Sequence, residues 1–399
     1  PGAASTATST ITAAPTSITA DGATTSTITV QLKDTNNNDL TASGGTVALS
    51  TTAGSLGPVT DNNDGTYTAT LTSSTTVETA TITGTLDLAA ITDDATVTFT
   101  PGAASTATST ITAAPTSITA DGATTSTITV QLKDTNNNDL TASGGTVALS
   151  TTAGSLGPVT DNNDGTYTAT LTSSTTVETA TVTGTLDGSG ITDDATVTFT
   201  AGAASTATST ITAAPTSITA DGVTTSTITV QLKDAGGNDL TASGGTVALS
   251  ATAGSLGPVT DNNDGTYTAT LTSSTTVETA TITGTLDLAA ITDDATVTFT
   301  PGAASTATST ITAAPTSITA DGASTSTITV QLKDANGNDL TSSGGAVVLA
   351  TDAGSLSGVT DNTDGTYTAT LTSSTSVETA TVTGTLDGSA ITDNATVDF

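Results

Sequence analysis

Residues 1–100 return almost letter for letter at 101–200 and 201–300, and with more substitutions at 301–399. This period constrains the fold more than any motif inside it. Arrays that share one core between neighbouring units repeat every 20–50 residues or so, whereas about 100 residues is a whole small domain. The chain is therefore expected to comprise four tandem domains, at 1–100, 101–200, 201–300 and 301–399, each able to close a core without disulfides. The core must be lean. Each repeat has one Tyr and one Phe (Tyr67 and Phe99 in the first), and Trp, Met, Cys and His are absent throughout. What remains is Val, Ile, Leu, Ala and a great deal of Thr.

Those aliphatic residues are ordered with period two. Ile28, Val30 and Leu32 alternate with Thr27, Thr29, Gln31 and Lys33, and the pattern returns at Val47 and Leu49, at Tyr67, Ala69 and Leu71, at Ala80, Ile82 and Leu86, and at Ala95, Val97 and Phe99. Alternation of this kind gives strands with one buried and one wet face. No apolar positions recur at helical spacing, and Thr and Gly are poor helix formers. A first strand is expected to break at Pro15, as an edge strand tolerates. About seven short strands separated by turn signals predict an all-β, Ig-like antiparallel sandwich in every repeat. Lys33, on an outer face, is expected to discourage edge pairing.

The segment SITADGATTSTITVQLKDTNNNDLTASGGTVALSTTAGSL, followed by VTDNNDGTYTATLTSS, resembles the bacterial Ig-like domains of the invasin and intimin type. The resemblance covers essentially all of each repeat. It implies the sandwich fold and a place in the stalk of a large bacterial surface adhesin, whose tip it does not identify.

Net charge is −33, from 37 acids against four lysines. Such a surface repels nucleic acid and anionic lipid, and no apolar run approaches a membrane span. The chain does not start with Met and shows no signal peptide, so a segment of a longer protein is expected. Following the strands up and down puts seven acids of the first repeat at the end where the chain enters: Asp34, Asp39, Asp61, Asp64, Asp87, Asp93 and Asp94. Asp21 and Glu78 lie elsewhere. The equivalents are Asp134, Asp139, Asp161, Asp164, Asp187, Asp193 and Asp194 in the second repeat. The third has Asp234, Asp239, Asp261, Asp264, Asp287, Asp293 and Asp294, and the fourth Asp334, Asp339, Asp361, Asp364, Asp387 and Asp393. Carboxylates crowded at a domain joint invite a hard cation with oxygen ligands, Ca²⁺ first, and Asn36, Asn37, Asn38, Asn62 and Asn63 offer carbonyls. The competing reading is plain turn chemistry, since Asp, Asn and Gly are the residues turns require. DNNDG is not an EF-hand loop: Gly65 is fifth from Asp61, not sixth, and Thr72 stands where the glutamate belongs. A turn is predicted at DNNDG; the ion site stays open beside it.

Enzymes of the usual kinds are excluded by composition. Without His or Cys, common nucleophile–base pairs cannot form. A glycosidase needs a cleft lined with aromatics, and both aromatic positions point into the core. No catalytic residue and no cofactor other than Ca²⁺ is expected. The linker TPGAASTATS is short, with Pro101 favouring an extended exit. Strands of up to ten residues make each domain roughly 35–45 Å long, and four in line a rod on the order of 150–180 Å. The expected function is a structural extender that holds a distal binding region away from the cell, its partners being the neighbouring repeats. A direct glycan- or protein-binding module, or a self-assembling filament unit, is the alternative.

Overall fold

The computed structural model describes residues 1–399. It contains strands and no helix. Two compact units are present, Pro1–Thr200 and Ala201–Phe399, and each holds two separate hydrophobic cores.

The first repeat sets the pattern. Its strands are β1 (Thr10–Ala14), β2 (Ser17–Thr19), β3 (Thr25–Gln31), β4 (Val47–Thr51), β5 (Ser55–Leu56), β6 (Thr60–Asp61), β7 (Thr66–Thr72), β8 (Thr79–Leu86), β9 (Ala89–Ala90) and β10 (Ala95–Thr100). One sheet runs β1-β3-β7-β5, with β6 also on β7, and the other runs β2-β10-β8-β4, with β9 on β8. Every pairing is antiparallel except β2 with β10. The expected first strand is thus two edge strands on opposite sheets. Pro15 sits at the crossing, where its missing N–H costs nothing, and its carbonyl accepts from the buried Ser26 hydroxyl at 2.7 Å. Between β4 and β7 the chain makes only the two short strands β5 and β6, with Gly57 and Pro58 between them.

Alternation places Ile28, Val30 and Leu71 against Ile82, Val97 and Phe99, all fully buried. Leu49 is only half-buried, since β4 is an edge strand that the opposite sheet covers on one side. The pairs Thr10↔Gln31, Gln31↔Thr66 and Val47↔Leu86 lie at the end where the chain enters. The loops 32–46, 61–65 and 87–94 therefore share that end, and the loops 20–24 and 73–78 share the other.

The hairpin after β8 differs between repeats in an instructive way. Asp87 and Leu88 are both left-handed (φ 46° and 70°), as are Asp287 and Leu288 (48° and 72°). Two consecutive positive φ values define the turn that matches strand twist, and glycine is its natural second residue. The second and fourth repeats have it, as Gly188 and Gly388 (both φ 82°). There the following strand is continuous, Ser189–Thr200 and Ser389–Asp398, whereas β9 and β10 are separate in the first repeat. Leu88 is 95 % exposed, so its side chain gains no packing. Leu88→Gly should stabilise the first repeat by about 0.5–1 kcal/mol, relief of left-handed strain less the added entropy of the unfolded chain. Urea denaturation of residues 1–100 with and without the substitution measures it.

Candidate functional site

Six of the seven acids at the entry end of the first repeat are held by hydrogen-bond donors or by Lys33, from several different loops. Asp61 accepts from the Asn63 amide at 2.8 Å, and Asp64 accepts from the amide and hydroxyl of Thr66 at 3.0 and 2.6 Å. Asn63 (φ 62°) and Gly65 (φ 86°) supply the left-handed positions. DNNDG is therefore a turn joining β6 to β7. Asp87 accepts from the Thr46 amide at 2.8 Å and closes the β4–β8 end. Asp93 reaches across the sandwich to the Ile11 amide of β1 at 2.8 Å, and Asp193, Asp293 and Asp393 repeat this staple. Asp39 pairs with Lys33 at 3.1 Å, as do Asp139, Asp239 and Asp339 with Lys133, Lys233 and Lys333. Lys33 is thus turned onto its own loop instead of guarding a sheet edge. Its partner is 60 % exposed, so the pair contributes at most about 1 kcal/mol. Asp94 is exposed, Asp194 lies in a strand opposite Thr183, and Asn394 stands at this position in the fourth repeat.

No group of three or more acids gathers closely enough to hold a metal ion. The nearby Ser43 hydroxyl and the hydrogen bond from the Asn63 amide hold Asp61 below the ordinary carboxylate range, against a smaller repulsion from Asp64. Those from Thr66 do the same for Asp64. At the far end Asp21 accepts from the amides of Ala23 and Thr24, and its equivalent Asp321 is lowered to about 2 by the Ser324 and Ala323 amides.

One acid differs from the rest. Asp34, Asp134, Asp234 and Asp334 are buried, at 1–3 % exposure. The Asp134 carboxylate accepts from the amides of Gly102, Asn136 and Asn138, each at 2.9 Å, and from the Asn138 side chain at 2.9 Å. Burial opposes its ionisation. The Asn138 side chain and the Gly102, Asn138 and Asn136 amides outweigh that and leave the group below its usual value.

The same loop makes the joint inside each unit. In the first unit the Asn138 amide nitrogen also donates to Thr75 O at 3.0 Å, while its oxygen accepts from the Val77 amide at 3.2 Å. Asn136 donates to Ala20 O at 3.1 Å. In the second unit Asn338 bonds Thr275 O at 2.9 Å and the Val277 amide at 3.3 Å, and Asn336 donates to Ala220 O at 3.0 Å. Asn138 thereby satisfies both donors and its acceptor at once. Asn38 is exposed, whereas Asn138 and Asn338, at their joints, are half-buried.

Sequence reasoning offered Asn36 and Asn38 as carbonyl ligands beside their role in a turn, and did not place their equivalents at the joint. A signal was available. Between Asp34 and Asp39 the copies vary, yet Asn38, Asn138, Asn238 and Asn338 are all retained, which a turn alone does not demand.

Strands alone, two-sheet sandwiches and joints made by loops rather than by free linker define a tandem array of Ig-like domains. The chain belongs to the family described as invasin, domain 3, which matches residues 5–102, 105–202, 205–302 and 305–399. Among solved structures it is similar to the Escherichia coli adhesin FdeC, at 28 % identity and a TM-score of 0.50 over 75 % of this chain and 99 % of that one. It is also similar to invasin, a bacterial integrin-binding protein, at 27 % identity and a TM-score of 0.48, covering 98 % of this chain and 79 % of that one. The Yersinia pseudotuberculosis protein InvD matches at 26 % and 0.47, over 74 % and 98 %.

Proposed function

We propose that this chain is an extender segment of a bacterial surface adhesin, with ligand capture and anchoring assigned to regions outside these residues. The observation that carries the reading is the two-way hydrogen bonding of Asn138 to Thr75 and Val77, repeated by Asn338 on Thr275 and Val277. An amide that both donates to and accepts from its neighbour fixes direction as well as distance. Copies of a domain joined in this way add reach, whereas copies of a recognition site add avidity. Family membership favours the same setting at the bacterial surface. No helix of the chain is long and apolar enough to cross a membrane.

Small-angle scattering of residues 1–200 tests the joint. The wild-type pair should give one narrow maximum dimension of roughly 80 Å, twice the length of a sandwich built at the strand rise. The double substitution N136A/N138A should broaden that distribution, while the first repeat keeps its stability and the second loses about 1.5–3 kcal/mol with the Asn138 bond to Asp134. A wild-type pair that scatters as two freely jointed bodies overturns the reading.

Calcium is a separable part of it. The stiffness proposed here resides in amide-to-carboxylate and amide-to-carbonyl bonds, which need no ion. A saturable rise in melting midpoint with Ca²⁺, not reproduced by Na⁺ at matched ionic strength, would add a cation at the acidic end.

A further inference from the structure

Asn336 is followed by Gly337, the one Asn-Gly pair in the chain. Its place is the joint between the third and fourth repeats, where its side-chain nitrogen donates to Ala220 O. Asn-Gly is the pair in which a backbone nitrogen most readily attacks the preceding side chain, because glycine offers no Cβ to obstruct the approach. A Cβ on Gly337 would meet nothing within 4 Å, so nothing packed above this residue obstructs the turn. In the folded joint, however, both reacting groups are occupied. The Gly337 amide donates to Asp334 O at 3.0 Å, and the Asn336 amide and side chain are held by Asp334 and Ala220.

We propose that Asn336 is a self-modification site, protected while the joint is closed and converted to an acid when it opens, after which the joint stays open. The step balances with water alone. The Gly337 nitrogen loses its proton and bonds to Asn336 Cγ, ammonia leaves, and water opens the resulting ring at either carbonyl to give aspartate or isoaspartate. Either product replaces the donor to Ala220 O by a carboxylate oxygen, which repels that carbonyl. The isoaspartate also lengthens the backbone between Asp334 and Asn338. That displaces the Asn338 amide from the Asp334 carboxylate and, with it, the side chain that holds Thr275 and Val277. The first unit contains the internal control: Asn136 makes the same bond to Ala20 O but is followed by Asn137 (φ 68°), whose side chain hinders attack. The inference rests on the joint itself and stands whether or not the chain is an extender.

The test uses the full chain, incubated warm at mildly alkaline pH, with peptide mapping of the amide-to-acid mass change. Asn336 should convert several-fold faster in N338A than in wild type, and fastest in urea, where no joint exists. G337N, which installs the Asn137 arrangement, should suppress conversion in every background. Glutamyl endopeptidase should cut the converted fraction after Glu278, next to Val277, sooner than the unconverted fraction, with cutting after Glu78 unchanged. Equal Asn336 rates in native and urea-unfolded wild type, or in wild type and folded N338A, would overturn the protection. Equal cutting at Glu278 in both fractions would overturn the opening.

Discussion

Asp134→Ala is expected to destabilise the second repeat by about 3–4 kcal/mol and to free the joint ahead of it. The carboxylate is 1 % exposed and accepts from three backbone amides, those of Gly102, Asn136 and Asn138. Alanine leaves all three without an acceptor, and a buried donor stranded in this way costs about 1–3 kcal/mol. The total falls below the simple sum because the 134–139 loop lies at the surface and water can reach part of it once it relaxes. Urea denaturation of residues 101–200 reads the local loss. Exchange of the Val77 amide in residues 1–200 reads the joint, and should accelerate as Asn138 loses the group that orients it. Asn is no substitute: its single oxygen cannot replace two, and its nitrogen would face an N–H. The folded group titrates below its unfolded value. Its contribution is therefore complete above the usual carboxylate range and fades as pH falls from about 4 towards the folded value. D134A should remove that part of the acid sensitivity, and an unchanged profile would count against a stabilising carboxylate.

The contrast between Asp134 and Asp61 explains what was legible in the sequence. Both are aspartates before asparagines, in loops at one end of the domain. Period-two alternation determined the sheets because burial on one face is a property of the strand itself; hence Ile28, Val30 and Phe99 fell where expected. Strand direction then placed seven acids at the entry end, since up-and-down tracing needs only the turns. What the sequence could not supply was which donor each carboxylate meets. Asp93 finds Ile11 from 82 residues away, and Asn136 finds Ala20 from 116. Such partners follow from closing two sheets and setting one domain on another, not from spacing. Charge counting registered the crowding of the acids and left a cation open beside plain turn chemistry. Their backbone donors were invisible because every residue has an amide, and the sequence does not show which amides the ladders leave unpaired.

Gly65→Ala is expected to destabilise the first repeat by about 3–5 kcal/mol, although the added group is one methyl on an acidic loop. At φ 86° any L side chain carries left-handed strain of about 1–2 kcal/mol. The larger cost is contact, for a Cβ here would lie 2.0 Å from Leu40 O and 2.4 Å from Leu40 C. Backbone must move, and forced overpacking adds roughly 1–3 kcal/mol. Movement also endangers the Leu32 amide's bond to Gly65 O at 3.0 Å, which ties the end of β3 to this turn. Gly188→Ala separates the two causes. Its φ is 82°, but a Cβ there meets nothing within 4 Å, so only strain of about 1 kcal/mol should register. Paired urea denaturation of residues 1–100 and 101–200 gives both numbers. If the two substitutions cost the same, the approach of Leu40 is not what fixes glycine in DNNDG. If Gly65→Ala costs several times more, the glycine's position in that loop is set by a backbone pressed against it, which is why it follows the spacing of a turn and not that of an EF-hand.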